Sequence, residues 1–411
     1  MKIKIILIAF LLLLCETNYA QSISSSPYSL FGLGSEYEAD YGSLPAIGSS
    51  GSALPTNKFI NSLNPAALGF MYQNHFLLDV GGKAISTSYQ DVSTKESRNN
   101  MQFSHIAFAF PISKRSGVSV ALKPYSSSSY TISNLALDIK DSNESYIYGA
   151  TGTGGLNDFD VSYGYRISPK WSVGAKGSVL FGNTAVNENY FVSNSLLNIQ
   201  KNSNYGGVRM TVGSQFEVDS TLTIATTIKT PTTINASKTG TITSTSSAGS
   251  TVVATDLTLD SDDYKMPLEI GFGISKVFKE NFSFTADYSK SFWSNTNQSD
   301  SYGLFLNQDK FAAGLSFERA KQGRSYFDRM KYSTGFNYDT GYLEIEGKRI
   351  RNVAVSVGVS IPLDNMFSRL NVSYSYGQKG SITSGLIKEN YHKISLNLSL
   401  DGLWFVKRKF D

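Results

Sequence analysis

The stretch Arg351-Asn352-Val353-Ala354-Val355-Ser356-Val357-Gly358-Val359-Ser360-Ile361 alternates a branched apolar residue with a small or polar one from Val353 onward. Extended backbone turns successive side chains to opposite faces, so one face of this segment is continuously apolar and the other is small and polar. That division suits a wall with lipid on one side and an aqueous lumen on the other. The same grammar recurs. Ile394, Leu396, Leu398 and Leu400 alternate with Ser395, Asn397 and Ser399, and Phe282, Phe284, Ala286 and Tyr288 with Ser283, Thr285, Asp287 and Ser289. Repetition of this kind predicts an all-β chain folded as a transmembrane antiparallel β-barrel.

The N-terminus supplies the compartment. Lys2 and Lys4 precede an apolar run over residues 5–14, followed by polar Glu16, Thr17 and Asn18 and a small Ala20. These are the parts of a secretory signal peptide, residues 1–20, with Gln21 as the expected mature N-terminus. A lipoprotein site at Cys15 is disfavoured by Leu14, which stands where a small residue is wanted. Cys15 is the sole cysteine among the 411 residues, so the mature chain has no disulfide, thiolate metal site or cysteine nucleophile. No later stretch is apolar for long enough to span a bilayer as a helix. Export and membrane residence therefore point to strands in the cell outer membrane. The formal charge of +4 is too small to imply a nucleic-acid partner, and no basic stripe is interleaved with stacking aromatics.

Strands are expected near residues 75–89, 101–112, 116–130, 156–168, 171–184, 204–218, 221–233, 263–278, 281–294, 308–319, 330–341, 350–361, 368–379 and 389–403. That is about fourteen, with ends uncertain by a few residues. Short turns at 113–117, 168–170, 219–220, 279–281 and 363–365 alternate with longer connections at 90–100, 131–155, 185–203, 234–262, 295–307, 342–349 and 380–388. Outer-membrane barrels keep their short turns in the periplasm and their long loops outside. Residues 319–329 are the exception, a longer connection on the periplasmic side. Trp171, Trp293 and Trp404 fall at strand ends, where interfacial girdles and simple packing both account for tryptophan. Arg166, Lys176, Asp287 and Glu318 fall on the face opposite the lipid and are expected to line the lumen; a cation at midplane on the lipid face costs roughly 2–4 kcal/mol.

Residues 21–74 break the alternation and are rich in small residues from Gly42 to Leu54. Phe31, Leu33, Phe59, Ile60, Leu63, Leu68 and Phe70 make the segment too apolar for a solvated tail. It is expected to plug the lumen of a barrel over residues 75–411. Asn64-Pro65-Ala66-Ala67-Leu68, between this Gly-rich segment and the first strand, resembles the Asn-Pro-Ala motif of the hatch in FadL/TodX-type outer-membrane transport proteins, the OMPP1 family. Tyr264 to Gly273, with Phe282 to Tyr288 and Trp293, is similar to that family's Pro, Gly-x-Gly, Ala-Asp-Tyr and Trp hairpin. Ser26 to Gly34 and Trp404 to Lys409 look like the branch found in bacteria that use type IX secretion.

The resemblance implies a fourteen-stranded monomeric barrel with an N-terminal hatch, through which hydrophobic compounds such as long-chain fatty acids pass by diffusion. It also implies a kink in the third strand that opens the wall sideways. Pro124 lies in that strand, and proline removes a ladder donor. Pro124 is the candidate for the opening, with a strand end or a tolerated proline near the rim as the alternative. A second function stays open: a non-transporting accessory barrel of an outer-membrane protein machine, for type IX secretion or barrel assembly. Its partners are outer-membrane or periplasmic proteins, against lipids and a hydrophobic ligand for a transporter. Lys321, Arg324, Arg329, Lys331 and the Lys407-Arg408-Lys409 tail offer a basic periplasmic patch to proteins or lipid phosphates.

No enzyme is indicated. His75, His105 and His392 are scattered, and neither a Gly-x-Ser-x-Gly elbow nor a His-Glu-x-x-His helix occurs. No cofactor is called for. The acidic cluster Asp256, Asp260, Asp262 and Asp263 lacks the glycine and terminal glutamate of a calcium loop and reads as a solvated loop end.

Overall fold

A computed structural model of the chain describes residues 26–403, apart from 39, 58, 140–144, 280, 301–302, 320–325 and 364–367. The leader with Cys15, the basic pair Lys321 and Arg324, Trp404 and the 407–409 tail lie outside the described residues. No helix among the described residues is long and apolar enough to cross a membrane.

Fourteen antiparallel strands close into a barrel. They are β1 His75–Gln90, β2 Lys95–Ser113, β3 in two pieces, Ser116–Pro124 and Tyr130–Asp138, β4 Ser145–Ser168, β5 Trp171–Val192 and β6 Ser195–Glu217. Next come β7, again in two pieces, Leu222–Lys229 and Thr232–Ser246, β8 Glu269–Phe278, β9 Phe282–Ser291 and β10 Gln308–Glu318. The last four are β11 Lys331–Asp339, β12 Asn352–Pro362, β13 Arg369–Lys379 and β14 Lys388–Leu403. Each strand pairs with its neighbours in sequence, and β14 returns to β1 in continuous register from Leu403↔His75 to Lys388↔Gln90. Pairing of β14 with β1 removes the two terminal edges that a sandwich would keep.

The alternation that opens the sequence sorts as expected. On β12, Val355 and Val357 are each 53% exposed on the lipid side while Ser356 and Ser360 are 5% and 3% exposed on the lumen side. Trp171 sits at the periplasmic end of β5, its indole N–H donating to the Ser214 hydroxyl at 2.9 Å. Trp293 does not join a girdle. It is buried against Tyr342 in a stacked pair with centroids 4.5 Å apart, with Phe305 and Tyr264 at its edges.

The outer side differs from expectation. Residues 145–155, 185–192 and 195–203 continue β4, β5 and β6 rather than forming loops, while the long 234–262 connection is a hairpin in keeping with its reading as an outer loop, Thr232–Ser246 pairing with Gly249–Leu259. Their Thr, Asn and Tyr content lacks lipid-type alternation. Such residues still extend where neighbouring strands supply the ladder on both sides.

The segment from Ser26 to Met71 fills the lumen from the outer mouth towards the periplasm. It carries three short 3-10 turns, Pro27–Leu30, Leu44–Ile47 and Pro65–Phe70. Tyr28 and Phe31 join Trp293, Phe305, Leu343, Ile350 and Leu386 in an apolar cluster across the outer mouth.

Candidate functional site: the hatch, its chamber and the wall

The hatch meets the wall where the wall has no side chains. Gly117, Gly164, Gly174 and Gly213 lie on four adjacent strands and pair directly, Gly117↔Gly164, Gly164↔Gly174 and Gly174↔Gly213. The Pro65–Phe70 turn rests on this row. A β-carbon on Gly174 would stand 2.4 Å from the Pro65 carbonyl carbon, and one on Gly164 2.6 Å from its oxygen. A second seat receives Leu44–Ile47: β-carbons on Gly314 and Gly335 would stand 2.4 Å from Ile47 Cβ and 2.1 Å from the Gly48 nitrogen. Gly314 and Gly335 are again paired across strands. Close backbone approach of this kind is open only to glycine.

Asn64, first residue of the hatch motif, is fully buried and caps the turn, its Oδ1 accepting from the Ala66 amide at 3.0 Å. Its Nδ2 donates to the Ser214 carbonyl of β6 at 3.1 Å, so one side chain both ends the extended chain and ties it to the wall. A cap of this type contributes about 0.5–2 kcal/mol. Pro65 supplies the preset φ at the first position of the turn. The Ala66 carbonyl accepts from Ser172 Oγ at 2.7 Å.

Above this seat the contacts become ionic. Glu36, Glu38 and Asp40, spaced two residues apart in the hatch, meet lysines on three wall strands. Lys310 of β10 approaches Glu36 at 3.4 Å, Lys393 of β14 meets Glu38 at 2.6 Å, and Lys83 of β1 meets Asp40 at 2.6 Å. Burial opposes ionisation of Asp40, but Lys83 and Lys393 outweigh it and hold its pKa below the ordinary carboxylate range. Lys393 likewise depresses Glu38.

Beneath them Tyr41 stacks on His105 at 3.8 Å. His105 Nε2 lies 2.8 Å from Asp79 Oδ1, while Asp79 Oδ2 accepts from Ser399 Oγ at 2.7 Å. His105 Nδ1 lies 2.9 Å from Ser104 Oγ. This Ser, His and Asp array is fully occupied in holding the hatch, because Gly42 N also donates to Asp79 and Asn397 Nδ2 donates to the Asp40 and Gly42 carbonyls.

Of the four residues expected to line the lumen, Asp287 and Lys176 line the chamber. Asp287 accepts from the Gly51 and Ser52 amides at 2.9 Å each, and Lys176 donates to the Ser62 carbonyl at 3.1 Å. Both therefore hold the hatch. Arg166 donates to the Lys114 carbonyl at the periplasmic rim, and Glu318 pairs with Arg369 at 2.7 Å. Among the described residues no three potential metal ligands gather, and Asp263 accepts from the Ala236 amide instead.

A chamber of about 510 Å³ remains between hatch, wall and mouth cluster. Its lining mixes charged side chains, among them Lys83, Lys123, Lys176, Lys310, Asp158 and Glu269, with apolar ones such as Leu63, Ile85, Leu180 and Met266. Pro124 reaches it from the wall. At Pro124 the third strand leaves the sheet, and residues 125–129 turn inward, Ser126 and Ser127 pairing with Glu36 and Ser35 of the hatch. Ser126 Oγ and Ser128 Oγ both donate to the Leu33 carbonyl, and Ser29 Oγ donates to the Ser129 carbonyl. The strand resumes at Tyr130 against β4 alone.

The closed fourteen-stranded antiparallel barrel is the fold of FadL/TodX-type outer-membrane channels. The chain superposes on the toluene transporter TodX of Pseudomonas putida with a TM-score of 0.59 and 14% identity, covering 90% of this chain and 99% of that one. It matches a FadL homologue of Pseudomonas aeruginosa with the same TM-score and 11% identity, over 90% and 100% of the two chains. CymD, a monoaromatic hydrocarbon channel, gives 0.58 and 14%, over 88% and 97%. No curated protein matches the sequence. By sequence the chain belongs to the BamG family, whose profile matches residues 1–411.

Proposed function

We propose that this chain is an accessory barrel of an outer-membrane protein machine, engaged by partner proteins rather than by a solute in its lumen. The observation that carries this reading is the fit between hatch and wall: two glycine seats, three lysine–carboxylate contacts and a buried His105–Asp79 anchor hold the same segment. Displacing it exposes paired charges and backbone groups in one step, a poor design for a gate in steady use. Membership of the BamG family also supports a role apart from that of the channels, which resemble the chain at 11–15% identity. Residues 1–20 direct export, with cleavage after Ala20, and the machine is one for barrel assembly or type IX secretion.

Native mass spectrometry after gentle extraction from the source outer membrane tests this directly. A stoichiometric complex with outer-membrane or periplasmic proteins, with no small molecule retained, is the expected result. A lone chain carrying a fatty or aromatic compound would overturn it.

Uptake of hydrophobic compounds, long-chain fatty acids among them, is the second reading. The break in the wall at Pro124 favours it, together with a fold shared with proteins described as hydrocarbon channels and toluene transporters. On that reading a compound leaves sideways through the wall. Pro124→Thr, which restores a ladder donor, should then cut fatty-acid uptake several-fold in cells that depend on this protein; unchanged uptake removes the reading.

A further inference from the structure

The break at Pro124 leaves more than a kink. β2 pairs with β1 along its whole outer half, from Gln90↔Lys95 to Gly81↔His105, but its pairing with β3 begins only at Ile106↔Leu122. The upper piece of β3, Tyr130–Asp138, pairs with β4 and with no other strand. Among the described residues no ladder joins residues 95–105 to Tyr130–Asp138. The wall therefore has a slot bordered on each side by an unpaired strand edge.

The depth of the slot follows from the register. His392 pairs with Ser86, and Ser86 with Asn99. His392 lies beside the rings of Tyr374 and Tyr376 on the lipid side, an aromatic level of the kind found at the outer interface. Along β2, residues 101–105 lie to the periplasmic side of Asn99 and 95–98 to its outer side. Met101 and Phe103 face the lipid, 73% and 42% exposed. Backbone N–H and C=O groups unpaired at this depth cost several kcal/mol each by order of magnitude, and neither acyl chains nor a hydrocarbon guest can pair with them.

The lumen side of the slot is also short of partners. Both amide atoms of the Asn100 side chain, Gln102 Oε1 and Ser129 Oγ are buried without a hydrogen bond, and Ser129 is only 5% exposed. An occupant is thus required to present backbone donors and acceptors along both lips, apolar side chains beside Met101 and Phe103, and polar ones beside Asn100, Gln102 and Ser129. That is the two-residue grammar of a barrel strand.

We propose that the slot between β2 and the upper piece of β3 receives a transmembrane β-strand of a second outer-membrane protein, paired backbone to backbone. The inference rests on the accessory-barrel reading and states where, and by what chemistry, the partner is held. Strand addition of this kind draws affinity from main-chain hydrogen bonds and specificity from alternate side chains.

Photo-crosslinking in cells tests it, with p-benzoylphenylalanine placed at Phe103, at Leu135 on the other lip, and at lipid-facing Phe336 as control. Mapping the crosslinked peptides should give, from both lips and not from Phe336, one short segment of one outer-membrane protein with alternating apolar and polar residues. Crosslinks from both lips to lipid alone, to a second copy of this chain, or to unrelated segments overturn the proposal. Hydrogen exchange needs no substitution: the amides of residues 101–105 should exchange at least tenfold more slowly in the extracted complex than after the partner is stripped away, and equal rates overturn the proposal. A stable complex in native mass spectrometry whose slot crosslinks only to lipid would sink this inference and leave the accessory reading standing. Absence of any complex would sink both.

Discussion

Replacing Gly174 by valine is expected to unseat the hatch and turn a sealed barrel into a leaking one. The β-carbon would fall 2.4 Å from the Pro65 carbonyl carbon and 2.5 Å from the Ala66 nitrogen, both backbone atoms that cannot rotate aside. Overpacking a well-fitted site typically costs about 1–3 kcal/mol, and a clash with fixed backbone belongs at the upper end. The wall should survive, because Gly174 lies within a β5 ladder flanked by β4 and β6 along its length. Gly177→Val is the matched control. It lies three residues along the same strand, with nothing within 4 Å of the position its β-carbon would take. In planar bilayers the Gly174→Val barrel should carry a steady ion current, while Gly177→Val stays as silent as the natural protein. Heat-modifiable mobility on gels checks that both have folded. A folded, silent Gly174→Val barrel would mean that the glycine row is not what keeps the hatch in place.

The seat itself was hidden in the sequence for a reason that applies to much of this site. Each of its glycines stands in an unremarkable strand: Ser116-Gly117-Val118, Tyr163-Gly164-Tyr165, Val173-Gly174-Ala175 and Val212-Gly213-Ser214. They become one row only through the register between strands, which alternation along a single strand does not determine. The faces of those strands, by contrast, are a local property, and the positions and number of the fourteen strands followed from it. The outer extensions of β4, β5 and β6 escaped because their residues leave the lipid, and with it the pattern that marked the lower halves. Asn64-Pro65-Ala66 was readable as a hatch motif, but its grip on Ser214 was not.

Pro124 left two readings open in the sequence, a kink in the third strand and a strand end or tolerated proline near the rim. The unpaired edge it leaves on residues 95–105 belongs to a neighbouring strand and again depends on register. One signal lay in plain view: Glu36, Glu38 and Asp40 repeat every second residue. A carboxylate ladder inside a barrel requires cations opposite it, and only six such lysines and one arginine line the chamber with Lys83.

Neutralising Asp40 is expected to loosen the hatch at neutral pH. Lys83 and Asp40 are 4% and 1% exposed at their side chains, and Lys393 lies 3.8 Å from the second Asp40 oxygen. Asp40→Asn keeps the shape but leaves Lys83 buried without its counter-charge, a change that costs about 3–5 kcal/mol when one member of a buried pair is removed. The natural protein should reach the same state only in acid. Its Asp40 and Glu38 have pKa values depressed below those of the unfolded chain. Their contribution is therefore complete above the ordinary carboxylate pKa of about 4 and is lost as pH falls through the lower folded values. Protease accessibility of the hatch, followed from pH 7 downwards, should show the natural protein closed through pH 5 and opening only in stronger acid, whereas Asp40→Asn is already cleaved at pH 7. Equal resistance of the two at pH 7 would mean that the glycine seats and the His105–Asp79 anchor hold the segment without the ionic ladder. The lysines would then matter for the chamber rather than for its plug.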